Sequence, residues 1–411
     1  MRVFYTIGIW FYTLGIRLAA LFGHRNARLM VKGWERDRWL VASGQWSDVA
    51  WFHAASLGEF EQARPVLEEY KRRHPESRIV VTFFSPSGYE VRKNYAMADA
   101  VLYLPPDLPC TVRRFLDTWR PTVAFFVKYE FWFNYLGELH RRGIPTYLFS
   151  AIFRPGQYFF KPWGCWARQQ LQQCYTHIFV QNEESLSLLT TNGIKQCSRA
   201  GDTRFDRVHQ IAEAAESDAI AEAFLNGHDG KVLVCGSTWP PDEELIAKVL
   251  AELDNHDNLK VILAPHVISE EHLKQIEGLL PESTRYSRFS SENSGSRVLI
   301  IDNIGLLSKL YRYADVAYIG GGFGVGIHNI LEAVTFGKPV LFGPNHNKFQ
   351  EAHDIIARGG GFSHNDANSL ALNLKPLLED PDAYHRASEA CKAYMQENLG
   401  STNIILGTIE K

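Results

Sequence analysis

The sequence has no CxxC pair, no low-complexity tract, no internal repeat, and no basic stripe beyond its first forty positions. Each absence narrows the class of protein. The six cysteines, Cys110, Cys165, Cys174, Cys197, Cys235 and Cys391, are scattered, so neither a zinc site nor a disulfide framework is predicted. Such usage suits a reduced, cytosolic environment for the main body. Without a basic stripe, nucleic acid is set aside as a partner. No GxxxxGK[ST] sequence occurs, which excludes a P-loop, and no DxD-type acidic pair stands at a strand end, so no metal is expected. Apolar residues make up 45% and charged residues 22%, the balance of a folded chain. At 411 residues it exceeds what one core usually organises, and two domains are expected.

What charge there is sits unevenly. Residues 1–40 hold seven Lys and Arg against Glu35 and Asp37, although the whole chain is at -3. That excess suits an anionic membrane surface. From Val3 to Phe22 the chain is almost wholly apolar or aromatic, with Arg17 its single charge, a length that can cross a bilayer. Arg25, Arg28, Lys32, Arg36 and Arg38 follow, a flank that keeps the main body cytoplasmic. No small-residue cleavage site closes the run, which argues against a removed signal peptide. Arg17 weighs against spanning, leaving three arrangements: a spanning helix, an interfacial helix, or a helix packed on the protein.

Beyond residue 48, apolar runs of strand length alternate with helical patterns: VAWFHAA, RIVVTFF, AVLYL, TVAFFV, PTYLFS and HIFVQ. Continuous runs of this kind predict parallel strands covered on both faces. A second series starts with KVLVCG and continues through LKVILAP, VLIID, DVAYIGGG and KPVLFG. The expected fold class is therefore α/β of the GT-B layout, two Rossmann-like doubly wound domains facing a central cleft, preceded by a membrane-anchor helix. Expected boundaries are 1–24 for the anchor, 25–210 for an acceptor domain, 211–230 for a helical linker, and 231–411 for a donor domain.

Two acids stand at strand ends in the first series. VAWFHAA runs into Ser56, Leu57, Gly58 and Glu59, and Phe60, Ala63, Val66, Leu67 and Tyr70 then fall at helical spacing. Glu59 therefore sits in a first helical turn, where a carboxylate serves either as a general base towards a hydroxyl or as a capping acid. Glu130, after TVAFFV, either positions an acceptor, pairs with a basic group, or opens the next helix. Ser85 begins a Ser-Pro-Ser-Gly turn that lines the same edge or only joins strand to helix.

In the second series Gly236, Ser237 and Thr238 follow the first strand and offer backbone N–H groups and hydroxyls to a phosphate. Gly320, Gly321, Gly322, Gly324 and Gly326 stand between a strand and the run His328, Asn329, Ile330, Leu331, Glu332, with Val325 inside the loop. The glycines allow close backbone approach to a ligand, though not at GxGxxG spacing. The reading places His328, Asn329 and Glu332 on one helical face, Glu332 towards ribose hydroxyls and the loop towards phosphate, with Leu331 also a core residue. Pro265 and His266 end LKVILAP, and Ile304, Gly305 and Leu306 follow VLIID, where a base can rest or a helix can simply begin.

SLGEFEQARP, KYEFWFN, GDTRFD, GSTW, APH, IGLLSKLY and GGGFGVGIHNILE together resemble the bacterial 3-deoxy-D-manno-octulosonic acid (Kdo) transferases in order and spacing, over nearly the whole chain. The resemblance implies CMP-Kdo as donor, lipid IVA as acceptor, and a place at the cytoplasmic face of the inner membrane among its lipids. It implies Glu59 as general base of an inverting transfer, with Ser56, Gly58, Ser85 and Glu130 on the acceptor side. It implies Pro265, His266, Ile304, Gly305, Leu306, Asn329, Ile330, Leu331 and Glu332 as CMP contacts, beside Ser237, Thr238, Gly322 and His328.

Two departures matter. The family usually has an Arg between the Pro and His of the Pro265 segment, and here none intervenes, so phosphate neutralisation shifts to Ser237, Thr238 and the glycine loop. Ala333 replaces a Pro common after the glutamate. A UDP-sugar enzyme of the same layout, lipid A disaccharide synthase-like or an epimerase, shares the ribose-binding glutamate. An inactive membrane-tethered nucleotide-binding protein would differ by indifference to Glu59→Ala.

Overall fold

The apolar runs become strands that are buried along their length and parallel to every neighbour. The computed structural model describes residues 1–37, 46–253, 258–290, 295–324 and 326–410. Arg38 of the basic flank and Val325 of the glycine loop lie outside the described residues. The chain divides into two units, 1–207 with 399–411, and 208–398.

In the first unit β1 (Val49–Ala54), β2 (Arg78–Phe83), β3 (Ala100–Tyr103), β4 (Val123–Val127), β5 (Thr146–Ala151), β6 (His177–Val180) and β7 (Cys197–Arg199) form one sheet in the order β3-β2-β1-β4-β5-β6-β7. All residues of β1, β4 and β5 are buried, as strands covered by helices on both faces require. The order reverses between β1 and β4, which pair from Ala50↔Val123 to His53↔Phe126. Strand ends beside such a reversal are where open α/β sheets take ligands.

Helices α1 (Arg2–Leu21) and α2 (Arg25–Asp37) precede the sheet, and α3 (Leu57–Arg73), α4 (Pro86–Arg92), α5 (Pro109–Trp119), α6 (Phe133–Arg141), α7 (Cys165–Cys174) and α8 (Glu183–Thr191) connect its strands. Helix α9 (Thr203–Ala214) begins in this unit and ends in the next.

Among the described residues α1 alone is long and apolar enough to cross a membrane. It is docked along one side. Arg2 Nε donates to Asn134 Oδ1 at 3.3 Å, Tyr5 Oη to Asp107 Oδ2 at 2.6 Å, and the Tyr12 ring stacks on Phe84. Tyr5 and Ile16 join the cores beneath. Val3, Phe4, Trp10, Phe11, Leu14, Leu18, Leu21 and Phe22 remain exposed. Beside α1 lies a cavity of about 530 Å³ lined by Trp10, Leu14, Trp34, Phe115 and Trp119, together with Arg17 and Arg114.

The second unit opens with α10 (Ala219–Leu225) and holds β8 (Lys231–Thr238), β9 (Leu259–Pro265), β10 (Ser283–Arg285), β11 (Val298–Ile300), β12 (Val316–Ile319), β13 (Val340–Phe342) and β14 (Gly361–Ser363), in the order β10-β11-β9-β8-β12-β13-β14. Its reversal lies between β8 and β12. Its other helices are α11 (Pro240–Glu252), α12 (Glu270–Leu279), α13 (Leu307–Leu310), α14 (Leu331–Val334), α15 (Gln350–Arg358), α16 (Ala367–Glu379) and α17 (Pro381–Asn398).

The domain boundaries differ from those expected. Residues 211–230 are not a separate linker, because α10 buries Ala221 and Phe224 within the second unit. The last helix, α18 (Ser401–Ile409), belongs to the first unit instead of completing 231–411. Ile405 and Leu406 enter the core that holds Ala63, Val66 and Leu67 of α3. Asp206 fastens the helix start, accepting from Gly400 N and Thr402 N at 2.7 Å and from Thr402 Oγ1 at 2.6 Å.

Candidate functional site

In the first unit Ser56 is the N-cap of α3 and Glu59 its third residue. Glu59 does not act through a capping bond. The Ser56 side chain makes no cap hydrogen bond and instead donates its hydroxyl to Glu59 Oε2 at 2.8 Å. Gly58 is exposed and a Cβ there would meet open space. Burial, and next the charge of Glu130, push the Glu59 carboxyl above its ordinary range, against the Ser56 hydroxyl and the charge of Lys128. A half-buried carboxyl raised in this way accepts a proton more readily than an exposed one.

Glu130 does not open a helix either. It is 7% exposed, and Oε2 lies 2.7 Å from His53 Nε2 and 2.5 Å from Trp132 Nε1. The other imidazole nitrogen of His53 reaches Thr82 Oγ1 at 2.9 Å, which also accepts from Trp51 Nε1 at 2.8 Å. Of the three readings for Glu130, the structure shows pairing with a basic side chain. Ser85 is the N-cap of α4, accepting from Ser87 N at 3.2 Å, and its own N–H reaches Ala55 O at 2.7 Å, which ties that turn to the end of β1.

In the second unit Ser237 has φ 53, a left-handed backbone that serine rarely adopts. Thr238, expected to face a phosphate, is fully buried and its hydroxyl is spent on Glu243 Oε1 at 2.9 Å. It therefore braces the turn. Pro265 is buried and ends β9, whereas His266 is exposed and its N–H reaches Thr238 O at 2.9 Å. The His266 ring stands between two partners, stacked on Trp239 at 4.7 Å and beside His328 at 4.6 Å. Burial, then the neighbouring His266, lowers the affinity of His328 for a proton.

The glycine loop is held by Asp242, whose carboxylate accepts from Gly321 N and Trp239 N at 2.9 Å and from Tyr318 Oη at 2.8 Å. A Cβ on Gly320 would collide with Ser237 O, and one on Gly322 with the Gly343 backbone, so only glycine brings these strand ends so close. The helix after the loop is shorter than expected. His328 and Asn329 precede α14, which has four residues, so they share no helical face with Glu332. Asn329 links them differently: Nδ2 donates to Glu332 Oε1 at 3.2 Å and Oδ1 accepts from Leu331 N at 3.2 Å. Ile330 and Leu331, expected as CMP contacts, are wholly buried and present no surface to a ligand.

Ile304 is 93% exposed, Gly305 has φ 96, and Leu306 caps α13, an uncovered apolar turn at the end of β11. The structure thus gathers Ser237, His266, Gly320 to Gly322, His328, Asn329 and Glu332 at the reversal of the second sheet. Sequence reasoning missed His53, Trp239 and Asp242, although Trp239 closes the GSTW segment and Asp242 follows it three residues later. Among the described residues no group of three or more metal-ligating side chains is present.

Two doubly wound parallel sheets, each with its polar groups at the strand ends beside the reversal, define the GT-B class. Solved structures agree on the fold. The UDP-GlcNAc 2-epimerase from Neisseria meningitidis bound to UDP-GlcNAc has a TM-score of 0.63 at 18% identity, covering 88% of this chain and 99% of that one. The S. aureus MnaA-UDP co-structure has 0.57 at 14% identity, covering 88% and 96%.

Residues 26–207 match the family model described as 3-Deoxy-D-manno-octulosonic-acid transferase (kdotransferase). Proteins named 3-deoxy-D-manno-octulosonic acid transferase are similar over most of the chain. That of Chlamydophila psittaci is 29% identical, covering 81% of this chain and 78% of its own length, and that of Aquifex aeolicus 29%, covering 80% and 85%. That of Rickettsia bellii is 24% identical, covering 97% and 94%. The chain is a glycosyltransferase, and the family it resembles is that of the Kdo transferases.

Proposed function

We propose that the chain transfers Kdo from CMP-Kdo to the lipid A precursor lipid IVA, with inversion and with Glu59 as general base. The observation that carries this reading is Glu59 itself, fixed by Ser56 at the reversal of the first sheet, with its carboxyl raised by burial and by Glu130. In the proposed step the acceptor hydroxyl gives its proton to the Glu59 carboxylate as its oxygen bonds to the anomeric carbon. The bond from that carbon to the CMP phosphate oxygen breaks, and CMP leaves with the electron pair.

On the donor side, Ser237, His266, His328 and the backbone of Gly320 to Gly322 take the phosphate. Asn329 and Glu332 take the ribose, and Ile304 to Leu306 take the base. With no Arg beside His266, neutralisation falls on backbone donors and the two imidazoles, without a metal ion.

The exposed apolar residues of α1, together with its docking from Arg2 to Ile16, support a helix lying in the plane of a bilayer, its outward face in the lipid. The adjoining cavity supports an acylated acceptor. The proposed setting is the cytoplasmic face of the inner membrane.

The test is transfer by purified protein from CMP-Kdo generated in situ to lipid IVA, read by mass spectrometry of the lipid. A gain of one or more Kdo units that disappears with Glu59→Ala supports both reaction and base. No gain by a wild type that binds CMP sinks this acceptor.

A further inference from the structure

At the ends of β4 and β5 two cations, Lys128 and Arg154, stand without carboxylate partners. Lys128 has φ 66, a left-handed backbone unusual for lysine, fixed by its N–H to Phe149 O at 2.9 Å. Such strain persists where the surrounding structure enforces it, and it clusters at ligand sites. Its ammonium lies 5.7 Å from the centre of the Tyr129 ring and acts electrostatically on Glu59. Arg154, three residues beyond β5, acts in the same way on the Tyr129 hydroxyl. Elsewhere in this unit Arg64, Arg72, Arg73, Arg78, Arg92 and Arg141 all hold carboxylates. Among the described residues neither Lys128 nor Arg154 is in an ion pair.

We infer that Lys128 and Arg154, both beside Tyr129, form an anion subsite that holds an oxyanion of a sugar substrate, phosphomonoester or carboxylate, close to the Glu59 base. This rests on the sugar-transfer reading above, in which the acceptor carries phosphates and the donor a carboxylate. A guanidinium supplies paired donors to such a group and an ammonium supplies a point charge. The two cations offset the repulsion that the carboxylates of Glu59 and Glu130 would otherwise impose on an acidic substrate. Of the groups facing Glu59, Glu130 raises its carboxyl, whereas Ser56, Lys128 and His53 lower it.

The experiment compares wild type with Lys128→Asn, which tolerates the left-handed backbone, Arg154→Gln, and Lys128→Arg as the rescue. Steady-state constants are measured for the donor, for lipid IVA, and for lipid IVA stripped of its phosphates. Lys128→Asn and Arg154→Gln are expected to raise one KM about tenfold with kcat changed less than about threefold, and Lys128→Arg to recover most of it. If wild type loses that factor on dephosphorylated acceptor while the variants lose nothing more, the anion is the acceptor phosphate. If the donor KM rises instead, it is the donor carboxylate. Lys128→Asn also moves the acid limb of the pH profile upwards, because a cation that favours ionised Glu59 is gone.

Binding of glucosamine 1-phosphate and of free Kdo, followed by NMR, decides the subsite without turnover. Should wild type make no product, the functional reading fails while loss of fragment binding in the variants still upholds the subsite. Unchanged KM values, or fragment binding equal in wild type and variants, overturn it.

Discussion

His53 Nε2 and Glu130 Oε2 meet at 2.7 Å beneath the turn that carries Glu59, one from β1 and one from just past β4, on either side of the reversal of the first sheet. The pair is buried in an apolar core, where unpaired charge is costly and field effects are strong. It therefore ties the two strand ends together, and of its members Glu130 raises the Glu59 carboxyl while His53 lowers it.

Glu59→Gln keeps the Ser56 contact within reach and removes the proton acceptor. Transfer should fall by about a hundredfold or more, the usual worth of general base catalysis. The melting temperature should stay near that of wild type, as read by differential scanning fluorimetry.

Glu130→Gln should move the acid limb of the pH profile to lower pH. Burial and Glu130 together raise the Glu59 carboxyl, and only its ionised form accepts the acceptor proton. Activity therefore climbs with pH through that ionisation, and removing the neighbouring charge brings the climb to lower pH. A limb that stays in place would separate Glu130 from the base.

Asp242→Ala leaves Gly321 N, Trp239 N and Tyr318 Oη without their acceptor. Orphaned buried donors cost about 1–3 kcal/mol each, so the second unit should lose several degrees of thermal stability. CMP should protect it less.

CMP at about a hundred times its dissociation constant should stabilise wild type by about 2.7 kcal/mol, and UDP should not. Gly320→Ala should abolish the CMP shift by driving the loop off Ser237. Chelator should leave transfer unchanged. Protection by UDP alone would favour the UDP-sugar reading.

Asp206→Ala should loosen α18 from the first unit, since three hydrogen bonds hold its start. Limited proteolysis near Gly400 would report it.

The interior strands were legible because each is a continuous apolar run: VAWFHAA became β1 and KVLVCG the core of β8. The three strands that were not, β7, β10 and β14, are three residues long and lie at sheet edges, where one side is unpaired and no long apolar run is required. Glu59 could be placed by a strand-turn-helix pattern, whereas the course of the Ser56 hydroxyl to its carboxylate had no signal in the sequence. The His53–Glu130 pair spans 77 residues with no local signal. The helix predicted from His328 failed because the glycine loop closes on itself, Gly324 N and Gly326 N both reaching Gly321 O, and delays regular structure to Leu331.

The return of α18 to the first unit sets an order of events on the ribosome. Residues 208–398 form their own unit between the sheet of the first and the helix that finishes its core. At roughly 5–20 residues per second, about 10–40 s of synthesis separates the two. Through that interval the face of α3 that receives Ile405 and Leu406 is uncovered, so the first unit waits, incomplete, while the second can already fold.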